Sequence, residues 1–211
     1  MTIKHNKVIA SVVTMCAALV SAPVWAHHAM DGATPTTPLQ GLLSGLAHPV
    51  LGMDHLLFVL AIGLISGIAN LRGPWLPMLF VVSTVLGAAT LLAGFNFVFA
   101  EACVAASIIA AAALLLRNAT TSRTALIVFG VGAGLFHGYV YAETIIGAEA
   151  SPLVAYLVGF AMIQMLLSSA AYAAGLGITR AYPGILTRIK VAAGATLGLT
   201  GLALLSSRIV V

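Results

Sequence analysis

Residues 48–69 read HPVLGMDHLLFVLAIGLISGIA, and this stretch decides the fold class. Beyond His55 it holds no charged residue and is long enough to cross about 30 Å of hydrocarbon, whereas the ionisable residues it does hold are gathered at its start. The rest of the chain repeats the pattern. Over 211 residues 61% are hydrophobic and only 7% charged, far below the roughly one quarter carried by a soluble domain. The expected fold is all-α, a polytopic membrane helix bundle of about six transmembrane helices. They fall near residues 49–69, 74–93, 97–116, 124–147, 152–178 and 190–207, with Leu39 to Ala47 as a shorter interfacial helix.

The amino terminus has a different character. Residues 1–26 combine a basic start (Lys4, His5, Lys7), an apolar run and small residues at Ala22 and Ala26, the pattern of a cleaved secretory signal peptide. Residues 27–38 then form an extracytoplasmic linker that opens on His27 and His28, and residues 39–211 form the six-helix transmembrane domain. Cleavage after Ala26 would put a free amine beside two imidazoles, Met30 and Asp31, a donor set suited to nickel, copper or zinc. A plain polar tail is the alternative.

With the mature amino terminus outside, the inner connections carry Arg72, Arg117, Arg123, Arg180, Arg188 and Lys190, and the positive-inside rule is obeyed almost completely. Both mature termini are then extracytoplasmic. The net charge of +4 is too dispersed to grip a phosphate backbone, which excludes nucleic acid as a partner. Cys16 and Cys103 form no C-x-x-C pair, so neither a thioredoxin-like motif nor a zinc ribbon is present.

An ionisable group in hydrocarbon costs several kcal/mol unless it meets a partner, a cation or water. The candidates are His48, Asp54, His55, Glu101, His137 and Glu143. Pro49 is expected to start a helix, with His48 at its first turn. On one continuous helix His55 would lie within about 20° of His48 on the wheel. At 1.5 Å per residue, His55 and His137 both fall about 10 Å below the outer boundary although they lie on different spans. Imidazole with carboxylate and without thiolate is a ligand set for Ni²⁺, Co²⁺, Zn²⁺ or Fe²⁺. The competing reading is a hydrogen-bonded staple between helices. Tyr141, one turn from His137, is either a hydrogen-bonding partner behind that histidine or, as the favoured reading, an ordinary interfacial aromatic, and Gln164 is helix glue in preference to part of a pathway.

The segment His48-Pro49-Val50-Leu51-Gly52-Met53-Asp54-His55 resembles the H-P-x-x-G-x-D-H motif of the HupE/UreJ family of membrane proteins, regarded as nickel/cobalt permeases. Phe136-His137-Gly138, followed by Glu143, is similar to a second family segment, and Glu101 falls where members carry a third-helix glutamate. Where many members have a histidine in the fifth span after Gly-Phe, this chain has Gly159-Phe160 followed by Gln164 and Ser168. The resemblance implies a permease, not an enzyme, taking up Ni²⁺ or Co²⁺ across a bacterial cytoplasmic membrane. The metal is then cargo and no resident cofactor is expected. The metal-site residues implied are His27, His28, His48, Asp54, His55, Glu101, His137 and Glu143, and the partners are the divalent ion and the bilayer, with homo-oligomerisation left open. Two other readings stay in play: an intramembrane zinc-dependent hydrolase, and a non-transporting metal-binding membrane subunit.

Overall fold

The computed structural model describes residues 34–117 and 120–209, and all regular structure within them is helical. Helix α1 covers Pro38–Leu51, α2 Met53–Ile68, α3 Trp75–Leu92, α4 Ala100–Leu116, α5 Arg123–Tyr141, α6 Ala150–Ala181 and α7 Pro183–Ile209. A 3-10 turn, Ala142–Ile145, prolongs α5. The signal peptide, the cleavage after Ala26, and His27 and His28 lie outside the described residues.

Local chemistry sets several of these ends. Thr37 caps α1 through a reciprocal box with Gln40, and Pro38 occupies the first turn, where its missing N–H costs nothing. Ser122 caps α5 by accepting from the Ala125 N–H. Between α6 and α7 only Tyr182 is non-helical, and Pro183 begins the next helix. Arg180, Arg188 and Lys190 therefore sit on helix ends rather than in the longer loop expected between residues 178 and 190.

The entry to the first span also departs from expectation. Leu39 to Ala47 is not a separate interfacial helix, and Pro49 does not start the span. Instead α1 continues through His48 and Pro49 to Leu51, and the break comes at Gly52, where the chain bends by 79° before α2 begins. Pro49 cannot donate to the carbonyl four residues back, so the last turn of α1 is held weakly, and its final bond is Gly52 N–H to the His48 carbonyl. His48 is thus a last-turn residue of one helix and His55 a first-turn residue of another. The two histidines therefore share no helical wheel, because the helix is not continuous.

Helices α3, α5, α6 and α7 are each long and apolar enough to cross a membrane, and the bent pair α1–α2 makes a fifth crossing if taken as one broken span. Packing defines how they run. Added Cβ atoms at Gly41 and Gly45 would strike Pro152 and Tyr156 of α6, and those at Gly63 and Gly67 would strike Ser168 and Tyr172 further along it. The bent pair therefore descends parallel to α6. Gly134 against Phe80 and Gly138 against Thr84 show that α3 and α5 are likewise parallel. Two parallel helices adjacent in the order of crossings require a return between them. Helix α4, at 17 residues about 25 Å long, supplies it. Gly194 against Leu116 and Gly201 against Ile109 place α7 antiparallel to α4. With no hydrophobic drive between helices in lipid, these glycine contacts let backbones approach closely enough for dispersion to hold the bundle.

Candidate metal centre

The Gly52 break delivers its neighbours into the interior. Across it the His48 and His55 rings lie 5.3 Å apart between centroids, and Asp54 Oδ2 stands 3.3 Å from His55 Nε2. His48 and His55 are buried, while Asp54 keeps 17% of its side chain exposed and is the open edge of the group. Gly52 is needed here for space rather than for its backbone angles, since φ −76° and ψ 103° suit any residue. A Cβ would come within 3.2 Å of the His55 ring and 3.4 Å of Asp54 Oδ1. The helix ends contribute too. The carbonyl end of α1 carries partial negative charge beside His48, and the amino end of α2 favours the Asp54 carboxylate in its first turn.

Helix α5 closes the group from the other side. The Tyr141 ring lies against His55 at 3.7 Å, and His137 lies 6.3 Å from His55 while stacking on Phe58 at 4.0 Å. Both nitrogens of His137 are engaged, Nε2 by Ser107 Oγ and Nδ1 by the Tyr141 hydroxyl, each at 2.9 Å. Ser107 has one proton and donates it to the Val104 carbonyl at 2.7 Å, so its oxygen accepts from His137 Nε2–H. The Tyr141 hydroxyl is then the donor to Nδ1. Tyr156 and Phe160 of α6 complete the wall, with ring centroids 6.2 and 6.4 Å from His48.

The four residues His48, Asp54, His55 and His137 are thus brought to one place by α1, α2 and α5. Glu101 and Glu143 are placed differently. Glu101 is half-buried in the first turn of α4, and Glu143 is exposed in the 3-10 turn rather than on the inward face of a continuing helix. Among the described residues no three His, Cys, Asp or Glu side chains converge into a group able to hold a metal ion as they stand. His55 Nδ1 is buried without a hydrogen-bond partner among the described residues.

Tyr141 takes the less favoured of its two readings, as a partner of the histidines rather than an ordinary interfacial aromatic. It is 1% exposed, stacks on one histidine and hydrogen-bonds another. Gln164 bridges α6 and α3 through its Nε2 to Thr84 Oγ1 at 3.2 Å, as glue should, but its Oε1 is buried and unpartnered. Ser107 and Phe58 were not anticipated. A signal for Ser107 existed: it is the lone hydroxyl of an alanine-rich helix, seven residues below Ala100, about 10 Å down and level with His137. Phe58 carried none, because a phenylalanine in an apolar helix is indistinguishable from packing.

A family model described as HupE / UreJ protein matches residues 14–204. No curated protein and no solved structure matches the chain.

Proposed function

The chain belongs to the HupE/UreJ family, and on that premise we propose that it is a secondary transporter or permease carrying divalent transition-metal cations, Ni²⁺ or Co²⁺, through the Gly52 break. The observation that carries this reading is the meeting of His48, Asp54 and His55 at a broken membrane helix, with His55 Nδ1 buried and unpartnered. Irregular backbone at membrane depth is tolerated where it lines a path, and helix ends at such breaks present partial charges to ions. Conduction also favours a loose group over a closed cage, since an ion held by a full set of strong ligands does not leave.

In this mechanism the cation reaches the exposed edge of Asp54 first, because a carboxylate is the strongest attractor available there. It then exchanges water for imidazole from His55 and His48. His137 joins only after Tyr141 gives up its hydrogen bond to Nδ1, which makes Tyr141 the residue that decides when the ring becomes a ligand. His27 and His28 enter as an outer capture point on sequence grounds alone. An inside-negative potential favours entry by about 2.3 kcal/mol per charge per 100 mV.

The test is radiolabelled nickel entry into proteoliposomes under an inside-negative potential, comparing wild type with His55→Ala and adding cobalt or zinc as competitors. Potential-dependent uptake that disappears in the variant supports the reading. Uptake that survives the substitution overturns the site, and absence of flux with one zinc retained per chain favours the hydrolase.

A further inference from the structure

A second feature lies at the opposite end of the bundle, where Arg180 donates to Asn70 Oδ1 and Lys190 donates to the Arg117 carbonyl. A cavity of about 270 Å³ opens there between α2, α4, α5 and α7. Its inner wall is apolar: the half-buried Ile68 and Leu114 and the exposed Ala69 face the opening, backed by the buried Ile65, Leu115 and Leu126. Its rim is polar, formed by Arg117, Lys190, Thr120 and Thr121, and no carboxylate is among the described lining residues.

We propose that this cavity binds an anionic phospholipid, its phosphate on the rim and the upper part of one acyl chain against the apolar wall. Two cations with no carboxylate among the described lining residues repel any cation and attract an anion. They suit a phosphate, and the Thr120 and Thr121 hydroxyls add donors of the kind a phosphate oxygen accepts. The start of α5 follows directly after these threonines, and its amino end adds positive partial charge on the same side. Lys190 spends one N–H on the Arg117 carbonyl and is thereby fixed at the rim, with no other acceptor on its ammonium among the described residues. A free anion would satisfy the rim but leave the accessible apolar lining, Ile68, Ala69 and Leu114, uncovered. Only a ligand that is anionic at one end and apolar at the other fills both parts. Basic pockets between membrane helices on the cytoplasmic side recognise lipid headgroups by this combination. The proposal does not depend on the metal reading.

The experiment is native mass spectrometry of the full chain in detergent. Phosphatidylglycerol and phosphatidylcholine of identical chains are offered in competition, with inorganic phosphate as a separate arm. The expected result is one retained phosphatidylglycerol per chain, preferred at least about tenfold, since each basic residue near a headgroup is worth several-fold. The Arg117→Gln/Lys190→Gln double variant should lose that preference. Arg72→Gln and Arg188→Gln, which remove exposed basic residues not lining the cavity, should keep it. Ala69→Phe fills the cavity while leaving both charges in place, so it decides the matter if the double variant fails to fold. Its expected outcome is loss of the retained lipid. Equal retention of the two lipids, unchanged preference in the double variant, or lipid retained by Ala69→Phe would each overturn the proposal. Complete displacement by inorganic phosphate would overturn it in favour of a free-anion site.

Discussion

The α1–α2 break and the α4–α7 seam are both built by glycines that bring helices close, yet they do opposite things with the space. Along the seam, Gly194, Gly198 and Gly201 face Leu116, Ala112 and Ile109, and everything buried there is apolar. At the break the close approach of Gly45 to Tyr156 and Phe160 seats the turn that carries His48, and of the four rings around it those of His55, Tyr141 and Tyr156 carry polar atoms that can hydrogen-bond or ligate. Small residues thus create proximity without deciding what it is used for. The chemistry depends on whether the chain is interrupted at that point, because an unbroken helix keeps its side chains on its own flanks while a bent one turns two ends toward each other.

The contrast can be broken at its strongest point first. Gly45→Ala places a Cβ against the Tyr156 carbonyl and the Phe160 N–H, neither of which can move without shifting α6. We expect a loss of about 3 kcal/mol, the upper part of the range for overpacking, with nickel uptake abolished because His48 is lifted away. Thermal unfolding in detergent and proteoliposome uptake measure the two effects.

Tyr141→Phe has the next largest effect. It leaves His137 Nδ1 buried with no donor, at a cost of about 1–3 kcal/mol. Ser107→Ala should cost a similar amount from the other side of the ring. The double variant should fall short of the sum, because both act through one imidazole, and strict additivity in the unfolding midpoints would show that the ring is not held as described.

Gly52→Ala separates transport from stability. The backbone angles accept alanine, and the added methyl displaces the His55 ring by only a few tenths of an ångström. Stability should change by less than about 1 kcal/mol, whereas uptake should fall several-fold. Equal uptake in this variant would mean that the His55 position is not critical.

The smallest effect is expected at the seam. A Cβ at Gly198 meets Ala112 at an ordinary 3.7 Å, so Gly198→Ala should leave uptake unchanged and raise stability by up to about 1 kcal/mol through helix propensity. A large loss there would show that the seam is as tightly specified as the break.

Much of the candidate site was legible because depth in a membrane is simple arithmetic. Counting residues from each boundary put His55 and His137 at one level on different helices, and their rings are indeed 6.3 Å apart. The count assumes that helices rise uniformly, which holds for His137 on α5 but not for His55, whose count runs through the 79° bend at Gly52; the two rings meet because packing against α5 brings them together. The same count puts Glu143 higher than His137, and the helix ends at Tyr141, two residues before it, so that the tighter 3-10 turn points its side chain differently from a continuing α5. Tyr141 escaped because an aromatic near a membrane boundary has two good reasons to be there, and only its neighbours distinguish them.

Composition and apolar run lengths were enough to determine that this is a helical membrane bundle, since hydrocarbon leaves a chain no other way to satisfy its backbone than a helix or a closed barrel. The rare ionisable residues likewise marked where a candidate site was to be sought, because burying them without a partner is costly. Where the first span breaks, and hence how His48 and His55 meet, was decided by tertiary structure. Pro49 and Gly52 are both plausible breakers in sequence. Packing of Gly41 and Gly45 against α6 extends α1 past the proline, and the chain can turn only after that contact ends.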